Sequence, residues 1–145
     1  MSTPMFAYRT LAAALPHPVP SCANARLALF AIRRTGAFGL ADAAAAHALF
    51  AAFGQGFRRP LVLLRTLMAD VSCNAAGSIA IAPCCCARMT AAEAALIAVL
   101  AGVETHPERT RLLLADLLGT RAVDGVFASA AAVAVAFADE GRPIS

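Results

Sequence analysis

Three cysteines stand side by side in this chain, and they are the residues most able to do chemistry. They lie in Ala82-Pro83-Cys84-Cys85-Cys86-Ala87-Arg88-Met89-Thr90-Ala91-Ala92-Glu93, just upstream of a marked helix start. Thr90-x-x-Glu93 reads as a capping box, with Thr90 at the N-cap and Glu93 turned back from the third helical position. A helix N-terminus favours thiolate over thiol, and Arg88 adds a full positive charge nearby. Three chemistries follow from such a triplet. The thiols can be small buried apolar groups, metal ligands, or an activated nucleophile and redox switch. A metal site would join two of Cys84, Cys85 and Cys86 with Cys73, and with His47 or Cys22 as a distant fourth ligand, around zinc or another thiophilic metal. The two-residue gap usual between paired zinc cysteines is absent here. A vicinal disulfide within the triplet would be strained and easily reduced. As an enzyme the set is incomplete, because no recognisable base accompanies the thiols.

The elements that must position this loop are helical. Glycine and proline divide the chain into about six helical segments. The first is predicted from Ser21 or Asn24 to Arg34, with Gly36 as its stop. The second starts near Asp42 and ends at Phe53; its alanine run predicts a buried, tightly packed helix, with His47 as a core or interface residue. A third begins at Pro60 and frays near Cys73-Asn74. Ser78-Ile79-Ala80-Ile81-Ala82 is predicted as extended chain without a partner strand. The fourth helix spans Ala91–Ala101. A second capping box, Thr105-x-x-Glu108, opens a fifth that ends at Gly119, and the sixth runs from Ala122 or Val126 to Ala138. The reading is an all-α fold: a single compact bundle of five to six short helices with a short extended segment before the cysteine triplet. Residues 1–20 are predicted as a proline-rich arm and residues 21–145 as one helical domain, with His17 a solvated arm residue.

Other charged residues offer less. The turn Gly54-Gln55-Gly56-Phe57-Arg58-Arg59-Pro60 has helix-turn-helix length, and Arg58 and Arg59 could meet phosphates. The following helix, Leu61-Val62-Leu63-Leu64-Arg65-Thr66-Leu67-Met68, has almost no polar side chains with which to read bases, so specific nucleic-acid recognition is not expected. His106 falls in a first helical turn, where a positive charge opposes the dipole, and reads as structural. Asp70 and Arg65 read as solvated or interhelical partners.

Composition narrows the classes further. The chain has 145 residues, enough for one domain with a real core. Hydrophobic residues make up 60% and charged residues 14%, which excludes intrinsic disorder. About a quarter of the chain is alanine, which forms helices well but buries little surface, so helices should approach closely. The eight phenylalanines and the Leu/Val clusters are then expected to supply the bulk of the core. All 12 basic residues are arginine and the net charge is +3, too small to indicate nucleic acid by itself. The longest uncharged runs, Ala43 to Phe57 and Val71 to Ala87, fall short of the ~20 continuous apolar residues of a membrane span. With no clear export signal, five cysteines read as reduced thiols in the cytoplasm.

Phe57-Arg58-Arg59-Pro60-Leu61-Val62-Leu63-Leu64-Arg65, followed by Ile81-Ala82-Pro83-Cys84-Cys85-Cys86 and Arg88-Met89-Thr90-x-x-Glu93, resembles a family of short bacterial proteins of unknown function. The resemblance runs from about Asn24 onward and implies no activity, cofactor or catalytic residue. The residues themselves point to a small cytosolic protein-interaction or regulatory module, with a protein partner or a second copy of itself covering its apolar faces. The alternative is a thiol-based metal-binding or redox-sensing protein using Cys84–Cys86.

Overall fold

Six α-helices and one two-residue ladder form the part of the chain that the computed structural model describes, residues 15–145. They are β1 (His17–Pro18), α1 (Ala23–Phe38), α2 (Ala43–Phe53), α3 (Arg58–Asn74), β2 (Arg88–Met89), α4 (Ala91–Gly102), α5 (Pro107–Leu118) and α6 (Asp124–Asp139). A 3-10 turn, Gly54–Phe57, joins α2 to α3. The fold is all-α, as its periodicity predicts. No helix among the described residues is long and apolar enough to cross a membrane.

Local chemistry sets most of the ends. Asp42 caps α2 by accepting from the Ala45 N–H at 3.0 Å. Thr90 and Glu93 form the expected capping box: Glu93 N–H donates to Thr90 Oγ1 at 3.0 Å, and Thr90 N–H donates to Glu93 Oε1 at 2.9 Å. The second box does not form. Pro107 takes the first position of α5, which makes His106 the N-cap and leaves Glu108 one residue short of the third position. The Thr105 hydroxyl instead meets His106 Nδ1 at 2.9 Å.

α1 also departs from expectation by running through Gly36 to Phe38. The chain reverses at Gly39, whose φ of 102° few other residues adopt, and whose N–H returns to the Thr35 carbonyl at 3.0 Å. Gly36 serves packing instead: a Cβ there would sit 3.4 Å from Ile81, so its absence lets the 75–83 segment lie against the helix. That segment is irregular and unpaired. The ladder lies elsewhere, with His17 opposite Met89 and Pro18 opposite Arg88 in antiparallel register. The His17 side chain is exposed as expected, but its backbone is docked.

The core centres on the long contact of α3 with α6, flanked by α1, α4 and α5. Leu49, Leu64, Leu67, Leu96, Leu100, Leu114, Leu118, Ile32 and Phe137 are its largest enclosed apolar side chains. Ala25, Ala28, Ala31, Ala130 and Ala136 are fully buried, so backbones meet closely where alanine faces alanine. Phenylalanine contributes less than its number suggests. Among the described residues only Phe137 is buried, packed edge-on against Phe53 with ring centroids 5.0 Å apart, while Phe38 and Phe50 are exposed. α2 is likewise peripheral: only Ala45 and Leu49 are buried, and His47 faces solvent. Its even coating of alanines carries no stripe that would mark an inner face.

Phe137→Ala should destabilise the fold by about 3–5 kcal/mol, the usual cost of emptying an enclosed aromatic site. Leu112→Ala, at a residue 73% exposed, should stay within about 0.5 kcal/mol. Urea denaturation of the two variants checks both.

Candidate functional site

A buried ion pair holds the cysteine loop. Arg33, on the inward face of α1, and Glu93, in the first turn of α4, are 3% and 0% exposed. Arg33 Nε donates to Glu93 Oε2 at 2.8 Å, and Nη2 donates to Oε1 at 3.2 Å. The rest of the guanidinium reaches the loop: Nη1 donates to the Cys86 carbonyl at 2.8 Å and Nη2 to the Arg88 carbonyl at 2.9 Å. Glu93 in turn accepts from the N–H groups of Thr90 and of Ala82, the latter at 3.2 Å. Four donors thus converge on one carboxylate, which is about its capacity. Thr90 adds a hydroxyl donation to the Ala80 carbonyl at 2.7 Å. Residues 80–90 therefore wrap a single charged pair, and burial is tolerable for both charges because the carboxylate accepts four hydrogen bonds and the guanidinium makes four.

On that anchor sits a tight turn, closed by the Cys86 N–H donating to the Pro83 carbonyl at 3.0 Å. Cys84 and Cys86 are half-buried and line one side of a pocket of about 210 Å³, whose other walls are Val19 of the arm and Leu29, Phe30, Arg26 and Arg33 of α1. Cys85, between them, is exposed. Arg34, one residue beyond the anchor, grips Asp42 with Nε at 3.0 Å and Nη2 at 2.9 Å. It also stacks on the Phe38 ring, 4.0 Å from its centroid, and lies beside the Cys84 thiol. That pairing holds the Asp42 carboxyl below the usual carboxylate range, with the Arg34 hydrogen bond the largest cause.

The cation beside the triplet is thus Arg34, not Arg88. The Arg88 guanidinium turns to the arm, donating to the carbonyls of Leu15 at 2.8 Å and Pro16 at 3.0 Å. At the start of α4 the capping box engages the N–H groups of Thr90 and Glu93. The cysteine at a helix N-terminus is Cys22, the N-cap of α1. The Ser145 hydroxyl, then the backbone N–H groups of Ala25 and Ser145, lower its pKa from 9.0 to about 7.

Cys73 is placed apart from the triplet. It sits exposed near the end of α3 and lines a separate groove of about 790 Å³, between α1, α3 and the 75–81 segment, whose walls carry no charged side chain. Among the described residues no three Cys, His, Asp or Glu side chains gather closely enough to hold a metal ion. Cys73, Cys84, Cys85 and Cys86 therefore do not assemble as a zinc set. Arg59 pairs with Asp139 at 2.7 Å across an exposed surface, which ties α3 to the end of α6. Arg58 is exposed beside it. Asp70 accepts a hydrogen bond from Ser129, an interhelical link from α3 to α6.

Sequence reasoning missed Arg33 and Arg34. The capping box already marked Glu93, but a box with an uncharged partner and one that closes on a guanidinium have the same spacing. The adjacent Arg33-Arg34 pair on a helix with an apolar face was the available signal, since one of two neighbours must turn toward that face.

Glu93→Ala should cost about 3–5 kcal/mol by urea denaturation, because it strands a buried guanidinium. The double replacement Arg33→Met/Glu93→Leu should recover most of that stability. It should nonetheless speed amide exchange at Ala82, whose N–H loses its acceptor. In the folded protein the Cys22 thiolate forms as pH rises through about 7; the stability it contributes is complete above the ordinary thiol pKa and lost as pH falls through about 7. Its alkylation rate should follow that midpoint, and Ser145→Ala should move the midpoint upward.

No curated protein and no solved structure matches this chain. A family model does, over residues 6–135, which begins within the arm and so reaches further upstream than the resemblance carried by the 57–93 motifs. The match covers most of the sequence and both of those motifs: the chain belongs to a family of unknown function, DUF6628.

Proposed function

We propose that this protein is a small interaction module that presents the loop Pro83–Arg88 to a protein partner in the reducing cytoplasm. One observation carries the reading: a buried guanidinium donates to two carbonyls of that loop, Cys86 and Arg88, while paired with Glu93. Buried ion pairs add little net stability compared with apolar packing of the same volume, but they fix one arrangement of the groups they bond. Here the group fixed is a surface loop with an exposed cysteine at its tip. Function concentrates on loops held by a rigid scaffold.

The surroundings suit contact with another protein. Phe38 is 64% exposed and shares Arg34 with Cys84, so an apolar ring, a cation and the loop form one continuous patch. Large apolar and arginine side chains are the residue types that anchor interfaces. All cysteines among the described residues are free, which suits a reducing compartment.

A photo-crosslinking amino acid at Cys85 tests this in the native host. One dominant protein adduct is expected from position 85 and none from position 112, with the adduct lost in the Arg33→Met/Glu93→Leu background. Equal adducts from both positions, or an adduct indifferent to the ion pair, would overturn the reading.

A further inference from the structure

We propose that Cys84 and Cys86 form a reversible dithiol–disulfide pair that exchanges with low-molecular-weight disulfides such as oxidised glutathione, with Cys85 a bystander. The proposal rests on the loop's being the working surface and names the chemistry that regulates it.

The geometry separates the three thiols. Cys84 and Cys86 face the same small pocket, whereas Cys85 is exposed between them. The Pro83–Cys86 turn bends the backbone at this point. Two residues apart along a bent chain, their Cα atoms lie less than two 3.8 Å steps apart, a separation that overlaps the ~4.4–6.8 Å that disulfides bridge. A bond between direct neighbours would close a smaller ring through a single peptide and store strain, which makes it easier to reduce. The anchored Cys86 carbonyl fixes one end of the pair without engaging its sulfur. At the other end, the Arg34 side chain lies beside Cys84.

The exchange balances in two steps. Cys84 thiolate attacks one sulfur of the small disulfide, forming a mixed disulfide and releasing one small thiolate, which takes up a proton. Cys86, losing its proton to water, attacks the Cys84 sulfur and expels the second small thiolate, which also takes up a proton. The protein gives up two electrons and two protons, and one small disulfide becomes two thiols. Excess small thiol reverses both steps.

Two variants on a Cys22→Ser/Cys73→Ser background decide the matter: one also carrying Cys85→Ser, which keeps the Cys84 and Cys86 thiols, and one also carrying Cys86→Ser, which keeps the neighbours Cys84 and Cys85. Each is equilibrated with mixtures of reduced and oxidised glutathione, quenched with acid, alkylated and weighed by mass spectrometry, with circular dichroism confirming equal helicity. The first should form an intramolecular disulfide with an equilibrium constant at least tenfold above that of the second. An equal or larger constant for the neighbouring pair, or mixed disulfides alone in the first variant, would overturn the proposal. This outcome is read on purified protein and stands apart from the crosslink at position 85. Loss of the crosslink with the Cys84–Cys86 disulfide intact removes the docking reading, and the converse removes the dithiol.

Discussion

The shape of the cysteine loop depends on one charged pair inside the protein. Arg33 and Glu93 come from helices that would pack against each other without them, as the surrounding leucines and alanines do. What the pair adds is a centre with more hydrogen-bonding capacity than its two side chains can satisfy between themselves. The surplus is filled by backbone: the carbonyls of Cys86 and Arg88 on the cation, the N–H groups of Ala82 and Thr90 on the anion. An eleven-residue excursion with no secondary structure beyond a two-residue ladder is thereby given a defined shape. Arginine is the residue able to do this, because its planar fork reaches a carboxylate and two carbonyls at once and keeps its charge when buried.

α1 is the partition of the molecule. One side carries Leu29, Phe30 and Arg33 toward the thiol pocket, and the other carries Thr35 and Gly36 toward the uncharged groove that includes Cys73. Residues only a few positions apart on one helix therefore serve surfaces of opposite character. The alanine content makes this economical in space: where Ala25, Ala28 and Ala31 face inward, neighbouring helices come close, and the larger side chains of α1 are free to shape its flanks.

The helical class, the helix number and the loop before α4 were legible in the sequence because they rest on short-range signals: punctuation by glycine and proline, periodicity, and the Thr90–Glu93 spacing. Helix ends were legible where a side chain acts locally, as at Asp42 and Thr90. They were misread where two local rules competed, as Pro107 overrode Thr105 and Gly39 took the role assigned to Gly36. The burial of α2 was misread because alanine is compatible with either face of a helix. The site was legible in outline and not in detail. The triplet was visible, but the neighbours that define its surroundings are Arg33 and Arg34, some fifty residues away in sequence, and no spacing rule connects them. The N-terminal thiolate argument applied in kind, and its physical setting is Cys22, where a helix start and Ser145 converge on sulfur.

The distances in sequence have a kinetic meaning. Arg33 meets Glu93 across 60 positions, and Arg88 meets Leu15 across 73. Helices can form from neighbouring residues alone, whereas such contacts require most of the chain to be gathered first. The arrangement that holds the thiol loop therefore exists only once α1 and α4 have come together, and is lost when they separate. The shape of this surface loop thus reports the packing of two helices that lie far apart in the sequence.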